Sequence, residues 1–135
     1  MRLSNSIDEL QAVNNELEQF GESQDLAPDL MFNLNLVLEE VLTNIIFYGY
    51  DDSATHVIEL NINLKSEIIE IEIIDDGKPF NPLERPDPNV NKSLDERQIG
   101  GLGIFLVKKI MDKAEYFRRE NKNILILQKN INTKS

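Results

Sequence analysis

The stretch Ile68–Gly77 reads IIEIEIIDDG. Ile69, Ile71 and Ile73 recur with period two, the spacing of one face of a β-strand. Glu70, Glu72 and Asp76 fall on the other face. Such alternation predicts a strand with one covered and one solvated side, the habit of antiparallel sheets. The same period puts Asp75 with the isoleucines, at the edge of a core. A buried carboxylate needs hydrogen-bond partners. Gly77 then ends the strand and lets backbone approach a flat ligand closely. An acceptor at Asp75 suits an amino group such as that of adenine. A plain Asp-Gly turn, with Asp75 bonded to local backbone, fits the same letters.

Upstream, Thr55–Leu64 also alternates, with Ile58, Leu60, Ile62 and Leu64 on one face and a tight turn at Lys65-Ser66-Glu67. Ser6-Ile7-Asp8-Glu9 has the pattern of a capping box. It opens a first helix with Leu10, Val13, Leu17 and Phe20 as its apolar stripe, ended by Gly21. Ala27-Pro28-Asp29 starts a longer helix to about Tyr48, with Pro28 in the tolerated first turn and Gly49 as its stop. Downstream, residues 81–100 are polar and carry Pro82, Pro86 and Pro88, a long loop of the kind that serves as a lid. A glycine-led helix follows to about Lys113, then a hairpin of Glu115–Arg119 and Ile124–Gln128 turning at Asn121-Lys122, then a frayed tail, Asn130–Ser135. The expected fold is α+β: a two-layer sandwich, a mostly antiparallel sheet with helices on one face. Residues 1–135 read as a single domain without internal repeats.

The totals narrow the function. Apolar residues make up 41% and charged residues 28%, a globular balance. The net charge of -10 opposes nucleic acid and anionic lipid and favours a basic partner or a cation-neutralised ligand. There is no cysteine, so thiolate metal sites and disulfides are excluded. The one histidine, His56, sits where a strand begins and reads as a surface residue. No apolar run reads as a membrane span and the start lacks a secretory pattern, so a cytoplasmic setting is expected.

Two further segments carry chemistry. Gly100–Asp112 reads GGLGIFLVKKIMD. Glycines feeding the first turn of a helix make a seat for an anion, most often phosphate; a flexible loop before a core helix has the same letters. On the second helix, Leu34, Val37, Leu38, Val41, Leu42 and Ile45 form a broad core arc, whereas Asn33, Glu40 and Asn44 cluster on the far side with Leu36 and Phe47 beside them. Glu40 and Asn44, four apart, are neighbours on the helix surface. A carboxylate and an amide so placed can share a magnesium ion or an attacking group; a solvated polar face is the alternative. Arg85, Lys92 and Arg97 in the loop can meet phosphates or stay solvated.

These residues, in this order, resemble the three boxes of the GHKL ATPases. Glu40–Asn44 is similar to the N-box, Asp75–Phe80 to the first glycine box, and Gly100–Gly103 to the second. The Asn44–Tyr50 run, the Phe80-Asn81-Pro82 extension and the Gly101–Asp112 helix resemble the anti-sigma factor and serine kinase branch. The likeness runs from about Ile7 to Gln128. It implies ATP and Mg2+ as cofactors, with Asn44 holding the metal and Glu40 as general base. It implies Asp75 and Gly77 at the adenine, with Phe80, Gly100, Gly101, Leu102 and Gly103 completing the nucleotide site. It implies a kinase for a serine on a STAS-type antagonist protein, a sigma factor as second partner, and a homodimer. The alternative is an ATP-binding regulator that sequesters a partner without transfer. Tyr48, Ile45 and Asn81 depart from the branch pattern and bear on partner and rate. The N-terminal strand of relatives is expected to shrink to Met1–Leu3.

Overall fold

The computed structural model describes residues 1–84 and 101–131. Strands β1 (Arg2–Ser4), β2 (Val57–Lys65), β3 (Ile68–Asp75), β4 (Lys113–Arg119) and β5 (Lys122–Asn130) form one sheet in the order β1-β2-β3-β5-β4. Every pairing is antiparallel. The two long hairpins close through two-residue turns. Ser66 and Glu67 have φ of 51° and 66°, and Glu120 and Asn121 have φ of 51° and 64°. Two consecutive left-handed residues give the turn whose twist matches that of the strands. Lys65 pairs with Ile68 and Arg119 with Lys122 across these turns, so the second turn lies one residue before the expected Asn121-Lys122. The N-terminal strand is short, as expected, and pairs Arg2–Ser4 with Val57–Glu59.

Helices α1 (Leu10–Ser23), α2 (Pro28–Tyr48) and α3 (Gly101–Ile110) cover one face of the sheet. Ser6 Oγ accepts the Asp8 N–H at 3.3 Å and opens a short 3-10 turn, Ile7–Glu9, ahead of α1. The other half of the expected capping box is absent, because the Glu9 carboxylate takes the Ser4 hydroxyl instead. Gly21 does not end α1. Asp25, with φ of 53°, does so, while the Leu26 N–H reaches Gly21 O and the Asp25 N–H reaches Glu22 O, a Schellman arrangement. Gly21 is small for a packing reason: a Cβ there would stand 2.5 Å from Met31 Sδ. The expected ends of α2 hold, with Pro28 in its first turn and the Gly49 N–H closing on Ile45 O at 2.8 Å. Helix α3 stops at Ile110, short of the expected Lys113, which opens β4; the Asp112 N–H is claimed by Gln128 O of β5.

The expectation of no apolar run long enough for a bilayer needs correction. α2 has 21 residues, and an 18-residue window within it has a mean hydropathy of 1.4, enough by length and composition alone. Its Leu34, Val37, Leu38, Val41 and Leu42 are buried in the core, which gives this helix its apolar character. The sheet supplies Leu3, Ile58, Leu60, Ile69, Ile71, Ile73, Leu125 and Leu127 to the same core. The opposite faces of β2 and β3, with Glu59, Asn61, Glu70 and Glu72, are only half-buried. The two-layer α+β sandwich is therefore as expected.

Leu38 is fully buried where α2 meets the sheet. Leu38→Ala is expected to destabilise the protein by about 2–5 kcal/mol, read from the midpoint of urea unfolding, because a cavity remains.

Candidate nucleotide site

Asp75 is the last residue of β3, and the residue is only 5% exposed. The strand period carries it to the helix-covered side, as expected. Its Oδ1 accepts the Gly77 N–H at 2.9 Å and the Asn123 Nδ2–H at 2.9 Å. Oδ2 has no hydrogen bond to the described residues. Burial raises the Asp75 pKa above its ordinary value; the bonds from Asn123 and Gly77 oppose that shift. The raised pKa means that the folded state holds this proton more tightly than the unfolded chain. Its contribution to stability is thus greatest in acid and is lost as pH rises through the raised pKa.

Asn123 faces Asp75 directly across the β3–β5 ladder. It is 7% exposed. Its Oδ1 accepts from the Tyr116 hydroxyl, from Arg118 Nη1 at 3.1 Å and from the Phe80 N–H at 3.5 Å. Its second amide hydrogen goes to Lys78 O at 2.9 Å. Arg118 Nη1 also donates to Gly77 O at 2.8 Å. One amide thereby fixes both the carboxylate and the loop that follows it. Sequence reasoning missed Asn123, Tyr116 and Arg118. The available signal was the period of the last strand, which sets Asn123 on the face of Leu125 and Leu127.

Gly77 has a local reason to be glycine. A Cβ there would lie 2.4 Å from Gly49 O, and the Lys78 N–H donates to that same oxygen at 2.9 Å. The end of α2 and the end of β3 are thus in backbone contact. Between them opens a narrow cleft. Val41, Asn44 and Ile45 of α2, Gly49, Asp75, Lys78, Phe80, Pro82, Ile104 of α3, Tyr116, Asn123 and Leu125 line it.

The structure brings Asn44, Asp75 and Phe80 into this one cleft, with Gly77 behind Asp75. Asn44 is not on a solvated far side but 8% exposed, on the flank of the core arc. Asn33 is exposed. Glu40, one turn earlier on α2, is half-buried and is not among the lining residues. Gly101, Leu102 and Gly103 form the opening turn of α3, as expected. The expected lid begins differently: Pro82–Glu84 form a 3-10 turn, with Leu83 against the core. Gly100, Arg85, Lys92, Arg97 and the rest of the lid lie outside the described residues, as does the tail beyond Ile131. Asn130, expected in that tail, belongs to β5. Among the described residues, no three His, Cys, Asp or Glu side chains gather as a metal site. A metal here would rest on an amide oxygen plus ligand oxygens, which suits magnesium.

Asn123→Ala removes a hydrogen-bond donor from a buried carboxylate. It is expected to cost about 1–3 kcal/mol in urea unfolding, the penalty of leaving a buried polar group short of a partner. Gly77→Ala is expected to lower the melting temperature as well, since a backbone oxygen must yield.

The chain matches the histidine kinase-like ATPase domain over residues 3–129. It is 31% identical over 98 residues to the serine/threonine-protein kinase BtrW of Bordetella bronchiseptica, covering 73% of this chain and 69% of that protein. It is 26% identical over 102 residues to an anti-sigma F factor of Clostridium perfringens, covering 75% and 73%. It is 30% identical over 87 residues to the serine-protein kinase RsbW of Halalkalibacterium halodurans, covering 62% and 52%. Its fold is similar to that of a blue-light activated histidine kinase of Erythrobacter litoralis EL346, with a TM-score of 0.58 at 20% identity, covering 79% of this chain and 32% of that one. The histidine kinase AdeS of Acinetobacter baumannii aligns over 98% of this chain and 68% of that one, with a TM-score of 0.51 at 14% identity. With its buried strand-end Asp, its α2 amide and its glycine-led helix in place, the chain belongs to the histidine kinase-like ATPase family, on the GHKL branch of anti-sigma factors and serine kinases.

Proposed function

We propose that this chain is an ATP-dependent serine/threonine protein kinase that also sequesters a partner protein. The observation that carries the reading is the Asp75 carboxylate, held by Asn123 and Gly77 at the base of the cleft. In this reading Asp75 accepts the adenine amino group on its outward oxygen. The apolar walls, Val41, Ile45, Ile104 and Leu125, hold the purine. Asn44 offers a buried amide oxygen for Mg2+, and the opening turn of α3 gives backbone N–H groups to the phosphates. Magnesium, when bound, neutralises charge on the phosphates and orients them. Glu40 takes the proton of the attacking serine hydroxyl.

The likeness to a serine/threonine-protein kinase and to anti-sigma F factors supports both halves of the proposal. The partners we propose are a STAS-type antagonist bearing the serine, a sigma factor, and a second copy of this chain, all in a cytoplasmic setting. The net charge of -10 suits basic partner surfaces. A second reading, sequestration without transfer, is favoured by one observation: Glu40 lies outside the lining of the cleft and its carboxylate has no hydrogen bond or ion pair to the described residues.

The deciding experiment incubates the protein with γ-labelled ATP, magnesium and a STAS-domain antagonist. Label on a serine, reduced roughly 100- to 10,000-fold by Glu40→Gln, is the expected result, given what a general base contributes. ATP binding without label would leave the sequestering module. Asn44→Ala is expected to abolish the magnesium dependence of ATP affinity in calorimetry, and equal affinity would count against its metal role.

A further inference from the structure

His56, the only histidine, stands just before β2. Its Nε2 lies 2.8 Å from Asp52 Oδ1, and its Nδ1 lies 3.2 Å from Asp76 Oδ1. Asp52 belongs to the connection after α2, whereas Asp76 directly follows Asp75. Each ring nitrogen therefore faces a carboxylate from a different segment. A neutral imidazole has one N–H and one lone pair, so it would turn that lone pair on one of the two carboxylates. Only the imidazolium donates to both. The ring also stacks on Tyr50, with centroids 4.2 Å apart and planes at 16°, a contact that favours a cation. The His56 N–H donates to Asn5 Oδ1 at 2.9 Å, and its carbonyl accepts the Asn5 N–H at 3.1 Å, so the backbone is anchored beside β1.

Neighbouring contacts join the same segment to residues that line the cleft. Lys78 Nζ reaches Asp51 at 3.0 Å, and the Lys78 N–H reaches Gly49 O. With the two bonds of His56, they tie the 49–52 segment to the end of β3. Gly49, Asp75 and Lys78 all line the cleft. Resting on the nucleotide reading above, we propose that protonated His56 is a positioning residue for the nucleotide. It clamps the segment after α2 to the end of β3, so that nucleotide binding takes up a proton at His56.

The surrounding charges support this sign. Asp52 and Asp76 touch the ring, whereas the cations of the adjoining groove, Arg2 of β1 and Arg119 and Lys122 at the β4–β5 turn, are accompanied by Glu59 and Glu120. The bond to Asp52, then that to Asp76, raises the His56 pKa above its ordinary value, and the same bond lowers that of Asp52. Tyr50 shows how closely the carboxylates gather: burial first, then Asp75, Asp76 and Asp52, pushes its phenol pKa up. Its hydroxyl has no hydrogen-bond partner among the described residues. Once His56 loses its proton, these acids face one another without that cation. The clamp is therefore complete below the ordinary histidine pKa of about 6.5 and is lost as pH rises through the raised value.

With one histidine in the chain, every titrating imidazole signal belongs to His56, so the test needs no assignment. By NMR, the His56 pKa is expected to lie above 6.5, to fall in Asp52→Asn and in Asp76→Asn, and to rise on saturation with magnesium-ADP. In calorimetry, magnesium-ADP is expected to bind with proton uptake near neutral pH and to weaken roughly three- to tenfold between pH 6 and pH 8.5, the span of a pKa shift of up to one unit. His56→Gln is expected to bind without proton uptake and with a flat profile. An ordinary or lowered His56 pKa in the wild-type protein would overturn the proposal, with no variant needed. So would identical pH profiles for wild type and His56→Gln, while leaving the nucleotide reading intact. No ADP binding at any pH would overturn both.

Discussion

A carboxylate taken out of water is tolerable only where donors meet it, and the Asp75 carboxyl meets two. One is the N–H of Gly77, two residues on. The other is the amide of Asn123, which the pairing of β3 with β5 sets directly opposite. The same Asn123 oxygen collects Tyr116, Arg118 and the Phe80 N–H, so the β4–β5 hairpin and the loop after β3 are bound to one point. Gly77 in turn lies against Gly49 O, which fixes the end of α2. Sheet, loop and helix therefore converge on one buried acid. The cleft is the space left beside it.

That convergence explains why a nucleotide site fits here. The sandwich buries Leu, Ile and Val between sheet and helices and runs out of apolar cover at the ends of β3 and α2. Polar groups at that boundary either bond to one another or face the cleft. Asn123 spends its hydrogen bonds within the protein, whereas Asp75 leaves one oxygen unbonded among the described residues and Asn44 lines the cleft. In the proposed reading, that pair receives a purine amino group and a magnesium-bound phosphate chain. In the proposed reading, the opening turn of α3 is the anion seat.

What could be read from the letters is what depends on near neighbours. The alternation of Ile68–Asp75 and the Pro28 and Gly49 limits of α2 are local patterns, and each appears where it was expected. Asp75 was legible because the strand period alone decides its face. Other features depend on partners far away in sequence. Asn123 matters only because β5 pairs with β3, a contact between residues 48 positions apart. Helix α3 ends early because Gln128 takes the Asp112 N–H. Gly21 looked like a helix stop, yet it makes room for Met31 while Asp25 turns the chain. Asn44 looked solvated by helical angle, yet the wall of the cleft buries it.

The most direct test of the Asp75 acceptor changes the ligand rather than the protein. Calorimetry would compare ATP with purine riboside triphosphate, which lacks only the 6-amino group, at fixed magnesium and pH. A hydrogen bond to a charged acceptor contributes about 1.5–3 kcal/mol, so ATP should bind roughly 10- to 100-fold more tightly. Equal affinities would mean that the Asp75 carboxylate does not receive the purine amino group, and the account of the cleft would be wrong.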